Sequence, residues 1–113
     1  MSNKAFLKVG EAKTLTLSVT DADGAAVDLS LATLLLGVKQ AKSDTVYAFS
    51  KIDGDFDKSN AVNGVISVHL TAENTNQPEN TYIGELKCSW TGPPAVVEKS
   101  ADFYIQIRLA VTL

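Results

Sequence analysis

Thr14-Leu15-Thr16-Leu17-Ser18-Val19-Thr20 is the stretch that decides the fold class. Every odd position is apolar and every even one carries a small hydroxyl. Side chains of an extended chain alternate between two faces, so this run predicts a half-buried strand with β-favouring residues on both sides. It ends at Asp21-Ala22-Asp23-Gly24. Gly24 can take positive φ and the aspartates can accept bonds from their own backbone, so a tight turn is predicted there.

Working outward, the same period recurs. Val65-Ile66-Ser67-Val68-His69-Leu70-Thr71 puts Ile66, Val68 and Leu70 on one face, directly after the turn signal Asn63-Gly64. Tyr82-Ile83-Gly84-Glu85-Leu86-Lys87-Cys88-Ser89-Trp90 puts Tyr82, Leu86, Cys88 and Trp90 together, with Glu85, Lys87 and Ser89 opposite. After a hairpin at Thr91-Gly92-Pro93-Pro94, the last segment has Val97, Phe103, Ile105, Ile107, Leu109 and Val111 in phase, alternating with Tyr104, Gln106 and Arg108.

Thr45 to Ile52 reads as a further strand, and Asp53 to Asn60 as a polar loop. Leu34-Leu35-Leu36 fits either a strand covered on both faces or a short helical piece. Gly37 and Val38 favour the strand. Between Thr71 and Asn80 one helical turn is expected, capped by Thr71 and stopped by Pro78. The total is about seven short strands with no long amphipathic helix, which predicts an all-β, Greek-key sandwich of antiparallel sheets.

Length and composition set the outer limits. The chain has 113 residues, 45% of them hydrophobic, which fits one domain, residues 1–113, with its own core. A net charge of −3 with no block of Lys or Arg speaks against nucleic acid as a partner. The single cysteine excludes an internal disulfide. The first residues contain no long apolar run and no stretch is long enough to cross a bilayer. The expectation is therefore a chain without signal peptide or membrane partner, cytoplasmic as synthesised and available for assembly into a particle.

Candidate sites were weighed against plainer roles. Asp53-Gly54-Asp55-Phe56-Asp57 spaces carboxylates as a calcium loop does, but Lys58 and Gly64 stand where that loop needs its turn glycine and bidentate glutamate. A solvated acidic loop is the better reading. His69 falls on the outer phase and has no ligand companion. Cys88 is in core phase, where a thiol packs as a small hydrophobe. Trp90 shares that phase, which favours a core role over a sugar-stacking one. Tyr82 follows a corner and opens a strand, the position from which a tyrosine hydroxyl bonds backbone upstream. Tyr82, Trp90 and Cys88 are thus structural candidates. Tyr47, Phe49, Phe56 and Tyr104, with Gln106 and Arg108 beside the last, are candidates for an exposed contact surface. No nucleophile–base set, catalytic carboxylate pair or phosphate loop is visible, so the expectation is a non-enzyme with no cofactor and no metal.

Several segments together resemble the immunoglobulin-like domains of phage baseplate upper proteins. They are Gly10 to Asp21, Asp23 to Ser30, Asn63-Gly64-Val65-Ile66, Leu70 to Thr75, Thr81-Tyr82-Ile83-Gly84-Glu85-Leu86 and Phe103-Tyr104-Ile105-Gln106-Ile107. The similarity spans about residues 6 to 111. Where the family often has glycine before the Thr-Tyr pair this chain has Asn80, a residue that also tolerates positive φ. The resemblance implies an immunoglobulin-like sandwich in a phage or prophage tail or baseplate. Its partners would be other phage structural proteins and further copies of itself, with Asp102 to Val111 as the contacting strand. A carbohydrate-binding or adhesion module is the alternative, expected to show Tyr47 and Phe49 near Gln106.

Overall fold

The computed structural model describes residues 4–100 and 102–111. Among these residues nine strands run in the order β1 Lys4–Lys8, β2 Lys13–Ser18, β3 Thr33–Lys39, β4 Phe49–Ile52, β5 Phe56–Asp57, β6 Val65–Leu70, β7 Asn80–Trp90, β8 Val96–Lys99 and β9 Phe103–Arg108. They form two sheets. The larger has the order β1-β9-β7-β3-β4, with β8 also on β7, and the smaller has the order β2-β6-β5. A sheet of the second, fifth and sixth strands facing one built on the third, seventh and last is the strand partition of an immunoglobulin-like sandwich.

The decisive alternation behaves as sequence predicts. Leu15 on β2 and Ile66, Val68 and Leu70 on β6 point inward, as do Leu34, Leu36 and Val38 on β3, Leu86 on β7 and Ile105 and Ile107 on β9; all are buried. Fully burying such a side chain stabilises by about 1.5–3 kcal/mol. Leu34 to Leu36 is strand, paired with Leu86 to Cys88. The turn after Thr20 is held by Asp21, whose Oδ1 accepts the N–H of Asp23 at 2.9 Å and of Ala25 at 3.0 Å. At Gly64, φ is +75° and a Cβ would sit 2.6 Å from the Val19 carbonyl, so both backbone and space require glycine. The Thr71 turn is reciprocal: Asn74 N–H donates to Thr71 Oγ1 and Thr71 N–H to Asn74 Oδ1.

Several expectations need correction. Lys4–Lys8 is a strand, and it pairs with β9 in parallel, so the sheets are not wholly antiparallel. Phe56 is buried opposite Val68. The acidic stretch before it is a single 3-10 turn that carries the chain from the larger sheet to the smaller, not a plain surface loop. Only Phe49 to Ile52 of the stretch from Thr45 is strand. Phe49 pairs with Val38 and faces the core, 8% exposed, so it is no contact residue.

The last segment is not one strand. β8 and β9 pair with β7 in registers that differ by one residue, the signature of a bulge between them. One extra residue reverses the faces. Val97 therefore lies outward opposite Ser89, while Phe103 lies inward opposite Gly84. The N–H of Ser100 donates to the Leu86 carbonyl, and Ser100 Oγ accepts the Leu86 N–H at 2.9 Å. Leu109 and Val111 follow the end of β9 and are exposed. Asn80 is the extended first residue of β7, and its Oδ1 accepts the N–H of Thr81; it does not take positive φ.

Candidate functional site

The outer face of the larger sheet gathers the side chains that remain. Register fixes who stands beside whom, because paired residues share a face. Ile83 lies between Lys39 and Tyr104. Gln106 lies between Thr81 and Phe6, and Arg108 pairs with Lys8. Leu35 pairs with Lys87, which pairs with Lys99. Glu85 stands opposite Gly37. Gly37 has a specific purpose, since a Cβ there would collide with the ring of Tyr47. Its absence lets the ring, arriving from the loop before β4, lie down on β3.

Two features give this face its chemistry. The first is aromatic: Phe6 is 53% exposed, Tyr47 48% and Tyr104 40%. Arg108 stacks its guanidinium 5.6 Å from the centre of the Phe6 ring and donates to Gln106 Oε1 at 3.3 Å. The second is charge. Lys8, Lys39, Lys42, Lys87, Lys99 and Arg108 lie on this face or its rim against the acids Glu85 and Asp102. A chain of net charge −3 thus shows a local excess of cations here. Lys42 is ion-paired with Asp102, and that hydrogen bond and charge raise its pKa, with smaller help from Tyr104 and Glu85. A groove of about 320 Å³ runs between Tyr47 and this pair, floored by Leu35, Gly37 and Ile83.

No protein-family profile matches the chain. No curated protein matches it either. Among solved structures the chain is similar to the V domain of amphioxus IgVJ-C2, with 10% identity over 93% of this chain and 100% of that one, at a TM-score of 0.37. The strand partition described above, and not this likeness, carries the immunoglobulin-like assignment.

Of the contact candidates named from sequence, the fold brings Tyr47, Tyr104, Gln106 and Arg108 to this one face and turns Phe49 and Phe56 inward. Tyr47 and Gln106 do not meet: Tyr47 covers β3 and Gln106 is on β9, with β7 between. Sequence reading missed Phe6, Lys39, Ile83 and Lys99. The signal for Phe6 was present, because Ala5 and Leu7 flank it in the opposite phase. Lys99 was hidden by the bulge, which no alternation pattern announces.

The structural candidates lie elsewhere. Tyr82 is 1% exposed, and its hydroxyl donates to the Pro78 carbonyl at 2.6 Å. Burial holds its pKa above the ordinary tyrosine value. Cys88 is 4% exposed, with its pKa pushed up by burial and by Glu98, the reverse of what activates a thiol. Trp90 is half-buried against the core, opposite Val96.

His69 lies on the outer face of the smaller sheet, where its Nδ1 is 3.2 Å from Thr14 Oγ1. The acidic turn spends its carboxylates locally. Asp53 accepts the N–H of Leu34 and pairs with Lys58, Asp55 accepts the N–H of Ile52, and Asp57 that of Ser59. Among the described residues no three His, Cys, Asp or Glu side chains gather as metal ligands, and no Cys, Ser, Thr or His lines the groove. The arrangement is that of a β-sandwich whose larger sheet turns cations and exposed aromatics outward.

Proposed function

We propose that this chain is a structural binding module of a phage or prophage tail or baseplate, and that it holds a neighbouring tail protein against the outer face of its larger sheet. One observation carries the binding half: cations and exposed aromatics, scattered in sequence from Phe6 to Arg108, converge on one face. Aromatic and Arg side chains are the usual anchors of protein interfaces, and Lys at the rim steers an acidic partner. The tail setting is supported by the sequence resemblance alone. Groups that cut no covalent bond but hold position fit that setting.

The test is isothermal titration of the purified chain against the products of the genes that flank its own. Binding is expected, with Tyr47→Ala and Lys87→Glu each weakening it about tenfold or more while circular dichroism stays unchanged. No binding to any neighbour, or binding that ignores both variants, sinks the reading. The glycan alternative predicts hits on a glycan array through Tyr47 at the groove. Such hits, without protein binding, would replace the proposal.

A further inference from the structure

Among the described residues none pairs with the edge of β2 that faces away from β6, which leaves a seam along it. β2 ends the smaller sheet, and β1, the strand nearest in sequence, is bonded to β9 in the other sheet. A cleft of about 520 Å³ lies there, its apolar lining drawn from Leu15, Leu17 and Val19 on one side and Ala5, Leu86 and Phe103 on the other. The N–H of Val19 donates to Gly64 at 2.8 Å, on the β6 side. Backbone groups alternate along a strand, so Thr14, Thr16, Ser18 and Thr20 aim theirs away from β6, at the seam.

Natural edge strands are kept from pairing by charge, proline, bulges or brevity. The other edges here obey. β1 carries Lys at both ends, β4 has Lys51 in four residues, β8 ends Glu98-Lys99, and β5 is two residues long with Asp57. β2 is the least guarded: Lys13 stands at its first position, but the rest of the edge, Thr14 to Thr20, contains no charge and no proline. β9, by contrast, has both edges bonded, to β1 and β7, so it offers a partner only its outer face.

We infer that the seam is closed by a second copy of this chain, β2 against β2, antiparallel about a two-fold axis. Charge selects the register. With Leu17 facing Leu17 of the second copy, Thr16 meets Ser18, Leu15 meets Val19, Thr14 meets Thr20 and Lys13 meets Asp21, at both ends by symmetry. Centring on Thr16 instead would set Glu11 against Asp21, and centring on Leu15 would leave Lys13 opposite Leu17. The chosen register joins the two smaller sheets into one, with about eight new backbone hydrogen bonds. It places leucines of each copy over the cleft of the other and hydroxyls beside hydroxyls outside. The inference stands on the β2 edge and holds whether or not the opposite face binds a tail protein.

Sedimentation velocity of the purified chain over a concentration series tests it. A concentration-dependent dimer is expected. Thr16→Pro, whose lost N–H makes no bond among the described residues, should abolish the dimer while circular dichroism keeps the β signal. Lys13→Glu should raise the dimer Kd about tenfold, through two symmetric cross-strand pairs.

A second variant reads the register without relying on proline. Non-hydrogen-bonded antiparallel residues bring their Cα atoms to about 4.5 Å, within disulfide reach. Leu17→Cys should therefore cross-link to a dimer on mild oxidation, and Leu15→Cys, which meets Val19 and not its own counterpart, should not; Cys88 is buried and adds no exposed thiol to either test. A monomer up to millimolar concentration overturns the inference and leaves the seam to an extended segment of another protein. So does a dimer indifferent to Thr16→Pro and uncrosslinked by Leu17→Cys.

Discussion

Tyr82 shows how much one side chain can fix. Its ring lies among the buried set of β7 while its hydroxyl, 2.6 Å from the Pro78 carbonyl, ties the strand to the corner that precedes it. Removing only the oxygen leaves the ring in place and orphans a partly buried carbonyl. Tyr82→Phe is expected to lose about 1–2 kcal/mol in chemical denaturation. Titration adds a second signature. Burial raises the folded pKa of Tyr82 above its ordinary value of 10.0. The unfolded chain then releases the proton first, so this contribution is complete below pH 10 and is lost as pH rises through the folded pKa. Stability of the unaltered protein should fall above pH 10 more steeply than that of Tyr82→Phe, with denaturation midpoints as the measure. Equal slopes would mean that the hydroxyl is not shielded.

At the scale of elements, the chain joins its parts through polar groups that alternation does not reveal. Thr75 is fully buried, and its hydroxyl donates to the Glu11 carbonyl at 2.7 Å, with the Ala72 carbonyl at 3.2 Å. It fastens the turn before β7 to the connection between β1 and β2. Thr75→Val keeps the shape and removes the bond, so a loss of about 1–3 kcal/mol is expected in urea denaturation. An unchanged midpoint would show that water replaces the hydroxyl.

The same contrast explains what the sequence made legible. β2, β6 and β7 were readable because a period of two, held over six residues or more, has one physical cause; β3, whose Leu34 to Leu36 lack that period, was readable only through Gly37 and Val38, which favour strand over helix. The Tyr82 corner and the Asn63-Gly64 turn were readable because their residue types have few other uses. Phe56 was not, since a two-residue strand is too short to show a period. Val97 and Phe103 share a phase in sequence and oppose each other in space, because the bulge near Ser100 is set by tertiary bonding to Leu86. The contact face was half legible. Tyr104, Gln106 and Arg108 follow from the period of β9, but Tyr47 reaches it only because Gly37 leaves room.

At the scale of the whole molecule, where charge sits matters more than how much there is. Ten basic and thirteen acidic residues give a net charge of −3, and a uniform surface of that sign would be repelled by a polyanion. The outer face of the larger sheet instead carries Lys39, Lys87, Lys99 and Arg108, with Lys8 and Lys42 at its rim. Charges more than about 10 Å away are screened at 0.1 M salt, so a surface approaching this face feels the local excess more than the total. The protein should therefore be retained on a sulfonate resin at pH 7 and low salt despite its net negative charge. It should elute at modest salt, as weak, surface-level attraction does. The double variant Lys39→Glu, Lys87→Glu should pass straight through, whereas Lys51→Glu and Lys58→Glu, with the same net charge but reversed away from this face, should still be held. Flow-through of the unaltered protein would mean that Glu85 and Asp102, set among the lysines, neutralise the face locally. The electrostatic part of the binding proposal would then fall, leaving only its aromatic residues.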